Sequence, residues 1–311
     1  MSVLFENLTL IGLGHEGSSI AWAAKRGGLA GRITGHARTE ATRARAQELG
    51  FVDRACETAA EAAEGADLVI LCVPVGACGD VAAEIAPRLK SGAILSDIGS
   101  VKAQLIADVA PHVPDGTDFV PAHPLAGTEH SGPESGFAEL FDNRWCILTP
   151  LAGSRPEAVD RMQAFWEGLG ANVDRMDPAH HDLVLAVTSH VPHAIAYTMV
   201  GVADHLRRVT DSEVIKFSAA GFRDFTRIAA SDPTMWRDVF LNNRDAVLDI
   251  LGRFSEELSL LQRAIRMGDG DYLHEYFTHT RAIRRGIIEA GQDTDAPDFG
   301  RHAAPAKDPD E

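Results

Sequence analysis

The 311-residue chain has far fewer cationic than anionic residues and no long apolar run. Lys and Arg number 29 against 45 Asp and Glu, which gives a formal net charge of −16 at pH 7. Such a surface repels phosphate backbones and anionic lipid headgroups. No uncharged stretch approaches the ~18 residues that span a bilayer, and the N-terminal stretch lacks the basic start of a secretory signal. We therefore expect a cytoplasmic protein with no nucleic-acid partner and no membrane partner.

Cysteine is scarce as well. The four cysteines are widely spaced and form no CxxC pair, namely Cys56, Cys72, Cys78 and Cys146. That spacing favours a reducing compartment over a disulfide framework or a thiolate metal site. Hydrophobic residues make up 45% of the chain and charged residues 24%, as in folded globular proteins. The length predicts one large domain or two packed ones.

Short apolar runs alternate with helical stretches through the first half of the chain. The runs lie at residues 8–11, 32–35, 68–73, 93–96, 119–120 and 145–148, with a last strand at 172–176. Unbroken apolar strands separated by helices are buried on both faces. The pattern therefore predicts an α/β fold with a parallel doubly wound sheet.

Only helical patterns follow residue 177. Apolar positions recur with a 3.6-residue period from 236 to 265, which predicts one long helix, and another helix is expected around 272–288. These helices offer more apolar face than a small domain buries, so we expect a homodimer through the helical half. The predicted domains are a sheet domain at 1–177 and a helical domain at 178–291, followed by a mobile Asp-, Pro- and Ala-rich tail at 292–311.

A GxGxxG motif at residues 12–17 directly follows the first strand and opens the first helix. Gly12 would make the tight turn, Gly14 would let a pyrophosphate approach the backbone, and Gly17 would pack the helix on the strand. We therefore predict a dinucleotide-binding domain. Glu16 is unusual here, because a carboxylate beside bound phosphate is unfavourable unless it faces away. The other predicted cofactor contacts are Leu13 in this loop and Val73 and Pro74 after the strand at 68–73.

The end of the second strand carries no acidic residue. An NAD enzyme usually places Asp or Glu there to bind the ribose, whereas this stretch reads His36, Ala37, Arg38, Thr39. Arg38 and Thr39 can bind a 2′-phosphate, so NADP is favoured as cofactor. NAD stays open, because Glu40 could turn toward a ribose hydroxyl.

Four further segments resemble the prephenate and arogenate dehydrogenase family of tyrosine biosynthesis. They are DxGSVK at 97–102, HPxAGTEHSG at 123–132, TSHxPH at 188–193 and FRDFTRIAxSDPxMW at 222–236. The resemblance implies a Rossmann-type doubly wound sheet followed by an all-α C-terminal dimerisation domain. It implies oxidative decarboxylation of prephenate or arogenate, with the choice between the two left open.

The same resemblance implies the roles of the site residues. His123 would be the catalytic base, Ser100 would orient that base and the substrate hydroxyl, and Arg227 would grip the ring carboxylate. The rest of the pocket would be lined by His193, Ser189, Glu129, Asp224 and Trp236. Tyrosine shares the alanyl side chain of arogenate and the phenolic ring of the product, so we expect it to inhibit competitively.

Several residues allow a second interpretation. His190 and His193 are three apart, but no matching Cys or carboxylate pair lies near, so we predict no metal. Pro192 should kink its helix. The pair His180 and His181 is typical of an exposed helix start, Lys102 could support the Ser100 loop or touch cofactor, and Trp236 could be plain core.

Two other functions remain open on the same pattern. A β-hydroxyacid dehydrogenase or imine reductase would use a catalytic Lys in the helical half, for which Lys216 is a candidate. A non-catalytic NADP-binding regulator would have the same fold. Neither of these two functions requires a histidine base, a serine and an arginine together, as His123, Ser100 and Arg227 occur here.

Overall fold

The apolar strands of the first half assemble into one six-stranded sheet. The computed structural model describes residues 3–127, 130–207 and 219–289. Every pairing in this sheet is parallel, in the order β3-β2-β1-β4-β5-β6. Its strands are β1 (Phe5–Ile11), β2 (Ala30–His36), β3 (Arg54–Cys56), β4 (Leu68–Leu71), β5 (Ile94–Asp97) and β6 (Asp118–Phe119). The predicted doubly wound sheet is confirmed, with β3 as an additional short strand.

Helices follow the strands and cover both faces of the sheet. They are α1 (His15–Gly27), α2 (Glu40–Leu49), α3 (Ala59–Ala63), α4 (Cys78–Ile85) and α5 (Ala103–Val109). Thr39 and Thr58 cap α2 and α3, because each hydroxyl accepts a hydrogen bond from a backbone N–H in the first turn. Two buried apolar clusters fill the two faces, one including Leu8, Leu10 and Trp166, the other Ile11, Val69 and Trp236.

The last three strands form a second sheet, whereas the sequence pattern predicts 145–148 and 172–176 as strands of the first sheet and predicts no strand at 122–124. They are β7 (Ala122–Pro124), β8 (Trp145–Leu148) and β9 (Asn172–Arg175), with α6 (Pro156–Gly168) between the last two. β7 runs antiparallel to β8, and β8 runs parallel to β9. Pro121 separates β6 from β7, and its carbonyl accepts from the Thr149 N–H at 3.0 Å. A proline has no N–H for a ladder, so the chain leaves the first sheet there.

The described elements after residue 177 are helical. They are α7 (Pro178–Leu185), a π-helical turn (Ala186–His190), α8 (Val191–Arg207), α9 (Ala220–Thr226), a 3₁₀ turn (Arg227–Ala230), α10 (Pro233–Asn242), α11 (Arg244–Met267) and α12 (Gly270–Glu289). The π-helical turn lies immediately before the residues around Pro192, where a kink was expected.

The predicted single helix over 236–265 is wrong, because α10 and α11 are separate helices that meet at Asn243. This residue has φ −111° and ψ 34°, outside the helical region. Its buried amide donates to the Asp182 carbonyl at 2.8 Å and contacts His190 Nδ1 at 3.0 Å. These tertiary hydrogen bonds fix the break. The second expected helix, around 272–288, is confirmed as α12.

The chain divides into two compact units, Met1–Ile250 and Leu251–Glu311. The first holds both sheets and the helices up to the start of α11. The described part of the second, residues 251–289, consists of the rest of α11 and α12. Many of its large apolar side chains are exposed, among them Phe254, Leu258, Ile265, Phe277 and Ile283.

One helical stretch, Pro178–His205, is long and apolar enough to cross a bilayer by length and composition. It carries His181 and Asp182, which are buried and hydrogen-bonded to β7 and to the start of α5. Those contacts attach the N-terminal end of this stretch to the first unit, whereas 28% of its apolar window is buried.

Candidate active site

The glycine loop between β1 and α1 has the geometry of a dinucleotide site. Gly12 has φ +112°, and a Cβ there would lie 2.1 Å from the Cys72 carbonyl oxygen. A Cβ on Gly17 would lie 2.1 Å from the Gly12 carbonyl oxygen. At Gly14, by contrast, no described residue places an atom within 4 Å of the Cβ position. The loop is thus closed against the protein at two glycines and open at the third, where a pyrophosphate approaches in this motif. Leu13 is buried beneath it.

Glu16 lies in the first turn of α1 and extends toward Gly127 across the cleft. Its Oε1 is 3.9 Å from the position of a Cβ on Gly127. Burial raises the pKa of this carboxyl to about 8, an effect that the charge of Lys102 partly offsets. The group is therefore mostly neutral at pH 7, and a neutral carboxyl does not repel phosphate.

The turn between β2 and α2 holds the residues predicted to bind the ribose. His36 contacts the Cys56 carbonyl through Nδ1 at 3.1 Å, and the Thr39 hydroxyl is occupied as the cap of α2. Arg38 is exposed, and its guanidinium forms no hydrogen bond with any residue that the structure describes. Val73 and Pro74 follow β4 at the same edge of the sheet.

Lys102 is fully buried rather than solvated. Its ammonium contacts the Asp97 carboxylate and donates to the Ala122 carbonyl at 2.6 Å. Asp97 ends β5 and Ala122 begins β7, so Lys102 joins the two sheets at the residue before His123. Lys102 therefore supports the site from within.

His123 lies on β7 and is 8% exposed. Its Nδ1 is 2.8 Å from Nε2 of His181, and its Nε2 forms no hydrogen bond within the described residues. Burial holds the pKa of His123 well below its usual 6.5, and the neighbouring His181, Lys102 and His190 lower it further. At neutral pH this imidazole is uncharged and can accept a proton.

The expectation that His180 and His181 are exposed is wrong for His181, which has no exposed surface. Its Nδ1 lies 2.8 Å from Asp182 Oδ1, while Asp182 also accepts from the backbone N–H groups of Lys102 and Ala103. Asp177 caps the start of this helix, because its carboxylate accepts from the Ala179 and His180 N–H groups. In the first turn of α7, His180 points to solvent and His181 points into the protein. The two residues are adjacent and identical, so the sequence does not reveal which of them is buried.

A second imidazole group lies on the next turns of the same helical stretch. His193 donates from Nδ1 to the Ser189 carbonyl at 2.8 Å and stacks on Trp236 with ring centroids 3.5 Å apart. Burial lowers the pKa of His193, which the charge of Arg227 lowers further, so Arg227 lies nearby. Burial also lowers the pKa of His190 to about 4. Trp236 packs in the core and positions His193 at the same time.

The structure gives less support to the remaining predicted residues. Ser100 is half-buried, and its hydroxyl forms no hydrogen bond with a described residue, so His181 and not Ser100 holds Nδ1 of His123. Asp224 and Arg227 are exposed at the end of α9 and the turn after it. Glu129 lies outside the described residues, as do Lys216 and the tail at 292–311. No three His, Cys, Asp or Glu side chains in the described ranges are placed to hold a metal ion.

A glycine loop with dinucleotide-binding geometry, and a buried histidine on the strand that Lys102 links to the end of β5, are typical of a nicotinamide-dependent dehydrogenase. Residues 20–175 match the family model for the prephenate dehydrogenase nucleotide-binding domain, and residues 177–279 match that for the prephenate dehydrogenase dimerization domain. The chain belongs to the prephenate dehydrogenase family.

Individual relatives agree with this assignment. The chain is 42% identical over 284 residues to cyclohexadienyl dehydrogenase of Zymomonas mobilis, covering 91% of this chain and 97% of that one. Prephenate dehydrogenase from Aquifex aeolicus, solved with hydroxyphenyl propionate and NAD⁺, is 32% identical with a TM-score of 0.85 and covers 92% of this chain and 99% of its own. Arogenate dehydrogenase from Synechocystis is 25% identical with a TM-score of 0.77, covering 90% and 99%. The activity is thus oxidative decarboxylation of a cyclohexadiene in tyrosine biosynthesis with a pyridine nucleotide.

Proposed function

We propose that this chain is a cytoplasmic cyclohexadienyl dehydrogenase that oxidises prephenate, arogenate or both and favours NADP over NAD. The observation that carries the proposal is His123: a buried, uncharged imidazole whose Nε2 has no hydrogen-bond partner within the described residues, at the same edge of the sheet as the glycine loop. The division into a sheet domain at 1–177 and a helical domain at 178–291 is part of the proposal. The change from strands to helices at Pro178 supports it.

The glycine loop would hold the cofactor, which supplies the acceptor for the hydride leaving C4 of the substrate ring. His123 Nε2 takes the proton from the C4 hydroxyl as the C4–O bond gains carbonyl character. Loss of CO₂ from C1 then makes the ring aromatic, and this makes the overall reaction irreversible. The Ser100 hydroxyl, at the end of β5, is proposed to hold the same substrate hydroxyl.

Arg227 is proposed to bind the ring carboxylate. The rest of the pocket is proposed to be lined by His193, Ser189, Glu129, Asp224 and Trp236. The Arg227 guanidinium can bind both carboxylate oxygens and stays charged at every working pH. The effect of its charge on the pKa of His193 supports this placement.

NADP preference is proposed from the turn after β2. Arg38 is exposed and forms no ion pair with a described residue, so its charge is available to a 2′-phosphate. The stretch 36–39 offers no carboxylate to accept from a ribose hydroxyl.

The test is a matrix of kcat/KM for prephenate and arogenate, each with NADP and with NAD. We expect turnover of at least one substrate, a larger kcat/KM with NADP, and a smaller difference between cofactors in Arg38→Ala. Arg32→Ala, exposed on β2 before this turn, is the control and should leave the ratio unchanged. Better turnover with NAD would contradict the cofactor proposal, and no turnover of either substrate would contradict the activity.

Feedback inhibition by tyrosine is proposed at the same site. Tyrosine carries the alanyl side chain of arogenate and an aromatic ring, and its hydroxyl would lie near His123. Added tyrosine should raise the KM for the cyclohexadiene and leave kcat unchanged. A fall in kcat alone, or no effect at millimolar tyrosine, would contradict a shared site.

A further inference from the structure

We propose that His181 and Asp182 are positioning residues for His123, which they hold as the tautomer with hydrogen on Nδ1 and the lone pair on Nε2. This inference rests on the proposed role of His123 as the base. It assigns a function to two adjacent residues outside the four family motifs recognised in the sequence.

The direction of each hydrogen bond can be deduced from Asp182. Its Oδ1 accepts from the Lys102 N–H at 2.8 Å and its Oδ2 from the Ala103 N–H at 2.9 Å. Groups that accept two backbone hydrogen bonds in this way are carboxylates, which can only accept. His181 Nδ1, 2.8 Å from Oδ1, must therefore carry a hydrogen.

That hydrogen determines the next bond. Burial lowers the pKa of His181, so its ring carries one proton at neutral pH and Nε2 is an acceptor. His123 Nδ1, 2.8 Å away, must then be the donor. A neutral imidazole has one N–H, so Nε2 of His123 keeps its lone pair and remains available to a substrate proton.

The same chain would stabilise the product of proton transfer. When His123 accepts a proton on Nε2, its Nδ1–H still donates to His181 Nε2, and the positive charge lies two hydrogen bonds from the Asp182 carboxylate. The chain is held rigidly, because the Asp182 carbonyl accepts from the Asn243 amide and His181 has no exposed surface. Lys102 and His190 also lie near His123 and oppose its protonation. In the hydrogen-bonded chain from Asp182 through His181 to His123, the Asp182 carboxylate is the charge that favours it.

The tautomer can be observed without turnover. Two-bond ¹H–¹⁵N spectra of the full-length protein with ¹⁵N-labelled histidine distinguish the two tautomers, and loss of a signal in His123→Asn assigns it. We expect His123 in the wild type to carry its hydrogen on Nδ1. In His181→Leu we expect a shift toward the Nε2–H form. An Nε2–H tautomer in the wild type would overturn the proposal.

Kinetics test the consequence. His181→Leu should lower kcat by roughly 10²- to 10⁴-fold with little change in the KM for the cofactor. His181→Gln, whose amide oxygen can accept from His123 Nδ1, should recover most of that loss. His180→Leu, next to it but exposed, is the matched control and should behave as the wild type.

Thermal unfolding of each variant shows whether a lower kcat results from misfolding. His181→Gln and His181→Leu both remove the imidazole, but only His181→Gln keeps an acceptor for His123 Nδ1, so the difference in their kcat measures the loss of positioning. Equal loss in both variants, or a normal kcat in His181→Leu, would overturn the proposal. Normal turnover by His123→Asn would instead overturn the base assignment, while the tautomer measurement would still stand.

Discussion

Glu16 shows how burial changes the charge of a single residue at a functional site. A carboxylate in the first turn after a GxGxxG loop would repel cofactor phosphate, but burial raises its pKa to about 8. A group with a raised pKa stabilises the fold while it is protonated. Its contribution is complete below about pH 4.5 and is lost as the pH rises through about 8.

We therefore predict that the KM for the cofactor rises between pH 7 and pH 9 in the wild type and stays flat in Glu16→Gln. The melting temperature of Glu16→Gln, relative to that of the wild type, should also be higher at pH 9 than at pH 6. Glu157→Gln, an exposed glutamate in the first turn of α6, is the control. Identical pH profiles in wild type and Glu16→Gln would show that Glu16 does not titrate in this range.

Single residues also mark the limit of what the sequence predicts. The sequence predicts a helix start around His180, and in the structure α7 begins at Pro178 with Asp177 as its cap. His180 and His181 share that local context, and only the packing of α7 against β7 and α5 decides which of them is buried. The burial of Lys102 is likewise not predictable from the local sequence, because its partners Asp97 and Ala122 come from two different strands.

At the scale of elements, the break between α10 and α11 connects the helices to the active site. The apolar period runs unchanged through Asn243, so the sequence predicts a continuous helix. The break is held by a buried amide whose partners, Asp182 and His190, lie more than 50 positions earlier in the chain. Periodicity records which face is buried and carries no information about such hydrogen bonds.

We predict that Asn243→Ala lowers the free energy of unfolding by about 1–3 kcal/mol, because it leaves buried acceptors without a donor. Asn242→Ala is the matched control. Its amide donates to the Asp238 carbonyl within its own helix, and its loss should cost less. Chemical denaturation measures both. An equal effect of the two substitutions would mean that the hydrogen bonds of Asn243 do not hold the break.

The sequence also predicts some features of the two sheets and not others. The glycine loop and the parallel strands follow from short apolar runs and turn residues, so the sequence predicts them. The separation of β7, β8 and β9 into a second sheet depends on how the chain pairs after Pro121. Strand pairing between distant segments is not visible in the apolar pattern.

At the scale of the whole molecule, α11 and α12 leave apolar side chains exposed in residues 251–289. The matching family model describes this half as a dimerization domain, and exposed apolar patches of this kind mark association surfaces. We therefore predict a homodimer. Light scattering at micromolar concentration should give a mass twice the 33.4 kDa of one chain.

Substitution of exposed apolar residues should shift that equilibrium. Leu258→Asp combined with Ile265→Asp should give monomer, because both side chains are exposed on α11. Glu257→Gln on the same helix is the control and should leave the dimer intact. A wild-type mass of one chain would contradict the prediction.

The proposed chemistry depends most on His123. Its most direct test is the turnover number of His123→Asn with prephenate or arogenate and saturating cofactor. Asn lacks a proton-accepting nitrogen, so we predict a fall in kcat of about 10²- to 10⁴-fold. The Kd for cofactor, measured by fluorescence titration, should stay unchanged. Because burial lowers the pKa of His123, the acid limb of the wild-type kcat/KM profile should lie below pH 6.5. Near-normal turnover by His123→Asn would contradict the account.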